Sequence, residues 1–117
     1  MTKPALVRGD VVVCVLAGDY GKPRPAVVIQ SDLFNETHAS VVVCPVSSQI
    51  TGLGLFRIPV PASTGSGLRI ESEIMVDKMA AVAVGKIRQR IGRLSRAQLR
   101  LVDDALRIWL DLPVVVQ

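Results

Sequence analysis

Valine constrains this chain more than any other feature: 19 of its 117 residues are valine. They cluster in short runs at 11–13, 27–28 and 41–43, each with a glycine or proline two residues away. β-branched side chains lose rotamer freedom in a helix and pack well on a pleated surface, so runs of this kind predict strands separated by turns. Aromatic residues make up only 3% of the chain, so the core is expected to be aliphatic. Half of the residues are apolar and 21% are charged, a balance that buries a core and excludes disorder. The length suits a single domain spanning 1–117.

Turn residues set the expected strand limits. Arg8-Gly9-Asp10 feeds a strand at 11–16, which Gly18 to Pro23 breaks as a loop. Further strands are expected at 26–30, 41–46, 55–60, 74–78 and 81–84, with 88–93 either a short strand or a turn. Pro45 implies that the third strand lies at an edge or ends there. Ser95-Arg96-Ala97-Gln98 is a capping box flanked by Leu94 and Leu99 as a hydrophobic staple, so a helix starts here. Leu99, Val102, Leu106 and Trp109 form its apolar face; Arg100/Asp104, Asp103/Arg107 and Arg107/Asp111 form i,i+4 pairs opposite; Pro113 ends it. The expected architecture is mainly β (α+β): a small, strongly curved antiparallel sheet or partly open SH3-like barrel with one C-terminal helix.

Several function classes find no support. The longest apolar stretch, 11–17, is far short of the ~18 residues that cross a bilayer, and the start has no secretory apolar region. A cytoplasmic protein with no membrane association is expected. Cys14 and Cys44 sit inside valine runs without Cys-x-x-Cys spacing and read as small buried hydrophobes, with a disulfide as the alternative. The lone histidine, His38, lies in a polar turn, so neither a metal cluster nor a serine-hydrolase triad is indicated, and no cofactor is expected. No phosphate-cradling glycine loop followed by Lys-Ser/Thr is present. The net charge of +4 is unevenly placed. From Lys78 to Val102 no acid occurs, while Lys78, Lys86, Arg88, Arg90, Arg93, Arg96 and Arg100 do. Such a field favours a polyanion such as nucleic acid, although a solvated basic face fits it too.

What remains for chemistry is an arginine after a polar turn, Arg24, a hydroxyl pair after a strand, Ser47 and Ser48, and an aspartate at the end of another strand, Asp77. Each also has a structural reading: Arg24 as an anchor of its turn, the serines as local caps, Asp77 as a partner of Lys78 or Lys86. The residues alone leave both readings open.

The order of these segments resembles the MazF/PemK family of toxin endoribonucleases over nearly the whole chain. The resemblance rests on Arg8-Gly9-Asp10-Val11-Val12, on Lys22-Pro23-Arg24-Pro25-Ala26-Val27-Val28-Ile29 with Gln30-Ser31-Asp32 after it, and on Val43-Cys44-Pro45-Val46-Ser47-Ser48-Gln49. It implies metal-independent cleavage of single-stranded RNA by attack of the 2′-hydroxyl on the adjacent phosphate. Arg24 and Ser47 match the family's cleavage residues, Ser47 standing where threonine is frequent. Some branches use a carboxylate that matches Asp77, here a candidate proton acceptor. An arginine that some members carry two residues earlier falls on Met75, so its role passes to Arg69 or Lys78 or is absent. Candidate RNA contacts are Tyr20, as a stacking platform, with Lys22, Ser48, Gln49, Arg69 and Lys78. The resemblance further implies a homodimer and a cognate antitoxin whose acidic, disordered segment fills the RNA groove; the apolar tail Val114 to Val116 and the valine-rich sheet are candidate interface material. The rival functions are a gyrase-directed toxin like the related CcdB group and a barrel that binds nucleic acid without cutting it.

Overall fold

The computed structural model describes residues 5–113. Among them the valine runs become strands β1 (Asp10–Val15), β2 (Pro23–Val28) and β3 (Ser40–Ser47), followed by β4 (Arg57–Val60), β5 (Ser72–Met75), β6 (Ala80–Ala83), β7 (Ile87–Arg93) and one helix, α1 (Arg96–Leu110). All pairings are antiparallel. The sheet runs β4-β5-β3-β2-β1-β7, with β6 also paired to β3. It is strongly curved but not a closed barrel. Its two edges are drawn together by the loop after β4: Arg93 N–H donates to the Gly65 carbonyl at 2.8 Å. That loop crosses β7 so tightly that a Cβ on Gly67 would lie 2.1 Å from the Ile91 carbonyl oxygen.

The central strands are buried on both faces, which explains uninterrupted valine runs in place of a clean alternation. Val11, Val27, Cys44 and Val46 face one core, which Val102, Ala105 and Leu106 of α1 help to close. Val12, Cys14, Ala26, Val28, Val41 and Val43 face a second, with Val82 and Ile87. Both cysteines are free and buried, and burial pushes the Cys44 thiol up to about 12. Arg8-Gly9-Asp10 is a latch between these layers. Asp10 is fully buried and accepts from Val7 N–H at 2.8 Å and Arg93 Nε at 2.9 Å. Arg8 donates to the Ile29 carbonyl and to Asp103.

Several expectations need correction. Pro45 is neither at an edge nor at a strand end. β3 is central, and on one side its partner changes from β6, last paired at Val43, to β5, first paired at Val46. The proline's missing N–H falls in the gap between them. Strand material at 74–78 stops at Met75, and Val76–Lys78 forms a 3-10 turn. Leu55 and Phe56 precede β4, with Leu55 in the left-handed region at φ +42°. The segment 88–93 is a full strand whose pairing with β1 carries two register shifts. The capping box at Ser95 forms, but the helix ends on Asp111 in left-handed conformation, ahead of Pro113. Trp109 is 46% exposed and rests on Phe56, ring centroids 5.2 Å apart, at the border of the core. Asp103 pairs with Arg8 instead of Arg107, which takes Asp104 one turn back. Val114 to Val116 lie outside the described residues.

Candidate active site

The site is built where β2 begins and β3 ends. Between these strands Ala26 opposes Pro45, Val27 opposes Cys44 and Val28 opposes Val43. The pairing between them ends at Ala26 and Pro45, and Arg24 and Ser47 stand beyond it near the ends of the two strands. Both residues line an open groove of about 550 Å³, together with Ser48, Arg69 and Gln89 over an apolar floor that includes Val13, Val46 and Ile91. The arginine, the hydroxyl pair and a second arginine from the loop after β4 therefore meet although they are far apart in sequence.

Arg24 is held from behind. Its Nε lies 2.7 Å from Asp19 Oδ2 across the β1–β2 turn. Both atoms are shielded from solvent and have no other partner. The contact is ionic and not aligned as a hydrogen bond, and it leaves the terminal guanidinium nitrogens for a ligand. Gly18 and Gly21, at φ +90° and +80°, let the turn fold back far enough for Asp19 to reach. Tyr20, between them at φ +54°, is 98% exposed, and Lys22 is exposed beside it. Tyr20 lines a separate hollow, against Ala81 and Lys86, and not the groove that holds Arg24.

Ser47 Oγ accepts from Gln49 N–H at 3.1 Å, a local turn that leaves Ser48 and Gln49 exposed. Opposite Ser47 on the other side stands Glu73 of β5, only 2% exposed. It accepts from Thr51 N–H, Thr51 Oγ1 and Gly52 N–H. Burial opposes its charge, but these three donors, with the Arg57 charge, outweigh it and hold the carboxyl below its ordinary value.

Asp77 is not brought to the groove. Its two oxygens accept from Arg57 Nε at 2.7 Å and Arg57 Nη2 at 3.0 Å, a fork that holds the carboxyl below its usual range despite partial burial. Neither Lys78 nor Lys86 is its partner. Lys78 is exposed on the 3-10 turn, outside the groove, so of the two basic residues offered in place of the one at 75, Arg69 is the one that lines it.

Residues 7–110 match the family model described as PemK-like, MazF-like toxin of type II toxin-antitoxin systems. The chain belongs to this family. The MazF-like chain is 37% identical over 106 residues to the probable endoribonuclease MazF of Mycolicibacterium smegmatis, covering 90% of this chain and 96% of that one. It is 33% identical to the endoribonuclease MazF9 of Mycobacterium tuberculosis, covering 76% and 79%. Among solved structures its fold matches the Mycobacterium tuberculosis toxin MazF-mt6 with a TM-score of 0.78 at 23% identity, covering 90% and 99%. A MazE-MazF structure from Deinococcus radiodurans matches equally well, at 0.78 and 21% identity, covering 93% and 99%.

Sequence reading of this MazF-like chain passed over Asp19 and Glu73. Asp19 left a faint trace, an acid among turn residues five positions before Arg24. Glu73 left none, because nothing in the local pattern marks it as buried.

Proposed function

We propose that the chain is the toxin of a type II toxin-antitoxin pair and acts as a metal-independent endoribonuclease on single-stranded RNA. The observation that carries this reading is that Arg24, Ser47 and Arg69 line one groove although they come from separate elements. The RNA supplies its own nucleophile, the 2′-hydroxyl, so the protein has to align it with the departing 5′-oxygen, manage two protons and neutralise charge growing on the phosphoryl oxygens. A guanidinium stays protonated at ordinary pH and presents parallel donors, which makes Arg24 the phosphate clamp. Asp19 orients that clamp from behind. Ser47 donates to the phosphate or the leaving oxygen. Arg69 holds a neighbouring phosphate, with Ser48 and Gln49 toward the bases and Lys22 and Tyr20 on strands of RNA leaving the groove. Asp77, with both oxygens engaged by Arg57, is assigned to holding Arg57. Unpaired RNA suits a site that must splay the backbone into line for attack.

The same reading takes a homodimer acting in the cytoplasm, with a cognate antitoxin that covers the basic groove through an acidic, disordered segment. Among the described residues no helix is long and apolar enough to cross a membrane. The test is incubation of the purified protein with single-stranded RNA in excess EDTA, with the ends mapped, beside Arg24→Ala and Ser47→Ala. Cuts leaving 2′,3′-cyclic phosphate and 5′-hydroxyl ends, lost in the arginine variant and weakened in the serine variant, are expected. Intact RNA that is nevertheless bound would favour the non-cutting barrel instead.

A further inference from the structure

Glu73 is out of keeping with its place. Its neighbour Ile74 is fully buried, and Glu73 itself is 2% exposed in the middle of a strand. A carboxylate in such a position is costly unless its oxygens are fully served. Among the described residues no cation lies within ion-pairing distance of it; Arg57 acts on it only through its charge. Instead, one loop serves it. Thr51 N–H at 3.1 Å and Thr51 Oγ1 at 2.8 Å donate to Oε1, and Gly52 N–H at 3.0 Å donates to Oε2. Thr51 Oγ1 in turn accepts from Leu53 N–H at 3.3 Å.

These donors follow Ser47, Ser48 and Gln49 in the chain with only Ile50 between, and Glu73 is the cross-strand partner of Ser47 itself. The segment from Ser47 to Gly52 is therefore fixed at one end by β3 and at the other by a carboxylate that stands beside Ser47. Thr51 and Gly52 are themselves exposed, so little apolar packing holds the loop otherwise. The requirement is for an acceptor with two oxygens. A glutamine keeps one acceptor and turns an N–H₂ toward a backbone N–H, so one of the two anchoring contacts is lost.

We propose that Glu73 is a positioning residue, whose ionised carboxylate holds the loop after β3 in the shape that presents Ser47, Ser48 and Gln49 to RNA. In its activity arm this rests on the ribonuclease reading above. In its structural arm it does not, and the experiment keeps the two apart. Amide hydrogen exchange is measured across 48–53 in the free protein, and kcat and KM are measured separately on single-stranded RNA, for Glu73→Gln, Thr51→Val and Thr51→Ser. Glu73→Gln is expected to speed exchange in the loop while β3 and β5 amides stay protected. It is also expected to lower kcat about ten- to a hundredfold with a smaller change in KM, the size of effect a misplaced reacting group produces. Thr51→Val shifts both readouts in the same direction by less, and Thr51→Ser, which keeps the hydroxyl, leaves both at the level of the unaltered chain.

Loop exchange unchanged in Glu73→Gln overturns the proposal, as does faster exchange with an unchanged kcat. Should Glu73→Gln fail to fold, Thr51→Val decides on the same two criteria, since its side chain lies at the surface. An unaltered chain that cuts no RNA is a failure of the ribonuclease reading; the exchange measurement then still judges whether Glu73 holds the loop.

Discussion

Asp19 Oδ2 lies 2.7 Å from Arg24 Nε across the turn that joins β1 to β2. The pairing fixes the arginine on its Nε edge and turns its terminal nitrogens outward, so the two side chains work as one clamp. Arg24→Lys keeps the charge but loses the planar fork, and cleavage is expected to fall about a hundredfold. Asp19→Asn frees the fork to swing, with an expected loss of about tenfold from the misplaced clamp. Single-turnover rates on single-stranded RNA check both, and an unaffected Asp19→Asn would remove Asp19 from the mechanism.

Ser47 carries little of the fold. Its Oγ accepts one bond, from Gln49 N–H in an exposed turn. Ser47→Ala is therefore expected to leave stability within about 0.5 kcal/mol of the unaltered chain. A lost hydrogen bond to a charged phosphate is worth about 1.5–3 kcal/mol, so cleavage should fall about ten- to a hundredfold. A paired melt and rate measurement on the same sample separates the two effects.

Asp77 predicts a pH dependence of stability. Its folded carboxyl is held below the ordinary value, first by the hydrogen bonds from Arg57, so the ionised form favours the folded state. That contribution is fully present above the unfolded carboxylate range, about pH 4, and is lost as pH falls through the lower folded value. Asp77→Asn leaves Arg57 mostly buried without its charge partner and should cost about 3 kcal/mol at neutral pH, with a flatter stability profile on the acid side. Denaturant melts between pH 3 and 7 check the sign. At a temperature where Asp77→Asn is folded its cleavage should match that of the unaltered chain; a selective loss there would return Asp77 to the reaction.

The approach of the loop after β4 to β7 holds Arg69 at the groove. A Cβ on Gly92 would meet the Ser66 backbone at 2.3 Å, and one on Gly67 would add a strained positive φ of +77° to its clash with Ile91. Gly92→Ala and Gly67→Ala should each cost about 3 kcal/mol and weaken RNA binding by moving Arg69. Arg69→Gln should weaken binding with the fold intact and reduce the dependence of affinity on salt by about one phosphate contact. Thermal melts and RNA titrations at two salt concentrations distinguish the loop effect from the charge effect.

Local chemistry was legible wherever it acts over a few residues. The capping box at Ser95, the valine strands and the break at Gly18 to Pro23 all formed as the sequence predicts, because propensity and turn conformation are properties of neighbours along the chain. Trp109 and the helix ion pairs departed from expectation for the opposite reason. Phe56 and Arg8 reach the helix from distant segments and take partners that the helical spacing alone could not foresee.

The sequence by itself determined an aliphatic antiparallel sheet with a terminal helix, and it singled out Arg24 and Ser47 through motifs that resemble one family. Only the tertiary structure decided that Asp77 belongs to Arg57, that Arg69 joins the groove, that Asp19 pairs with Arg24 and that Glu73 stands opposite Ser47. Charges and hydrogen-bond donors act through space over a few ångströms, and strand register, which sets those distances, is a property of the folded sheet and not of any single segment.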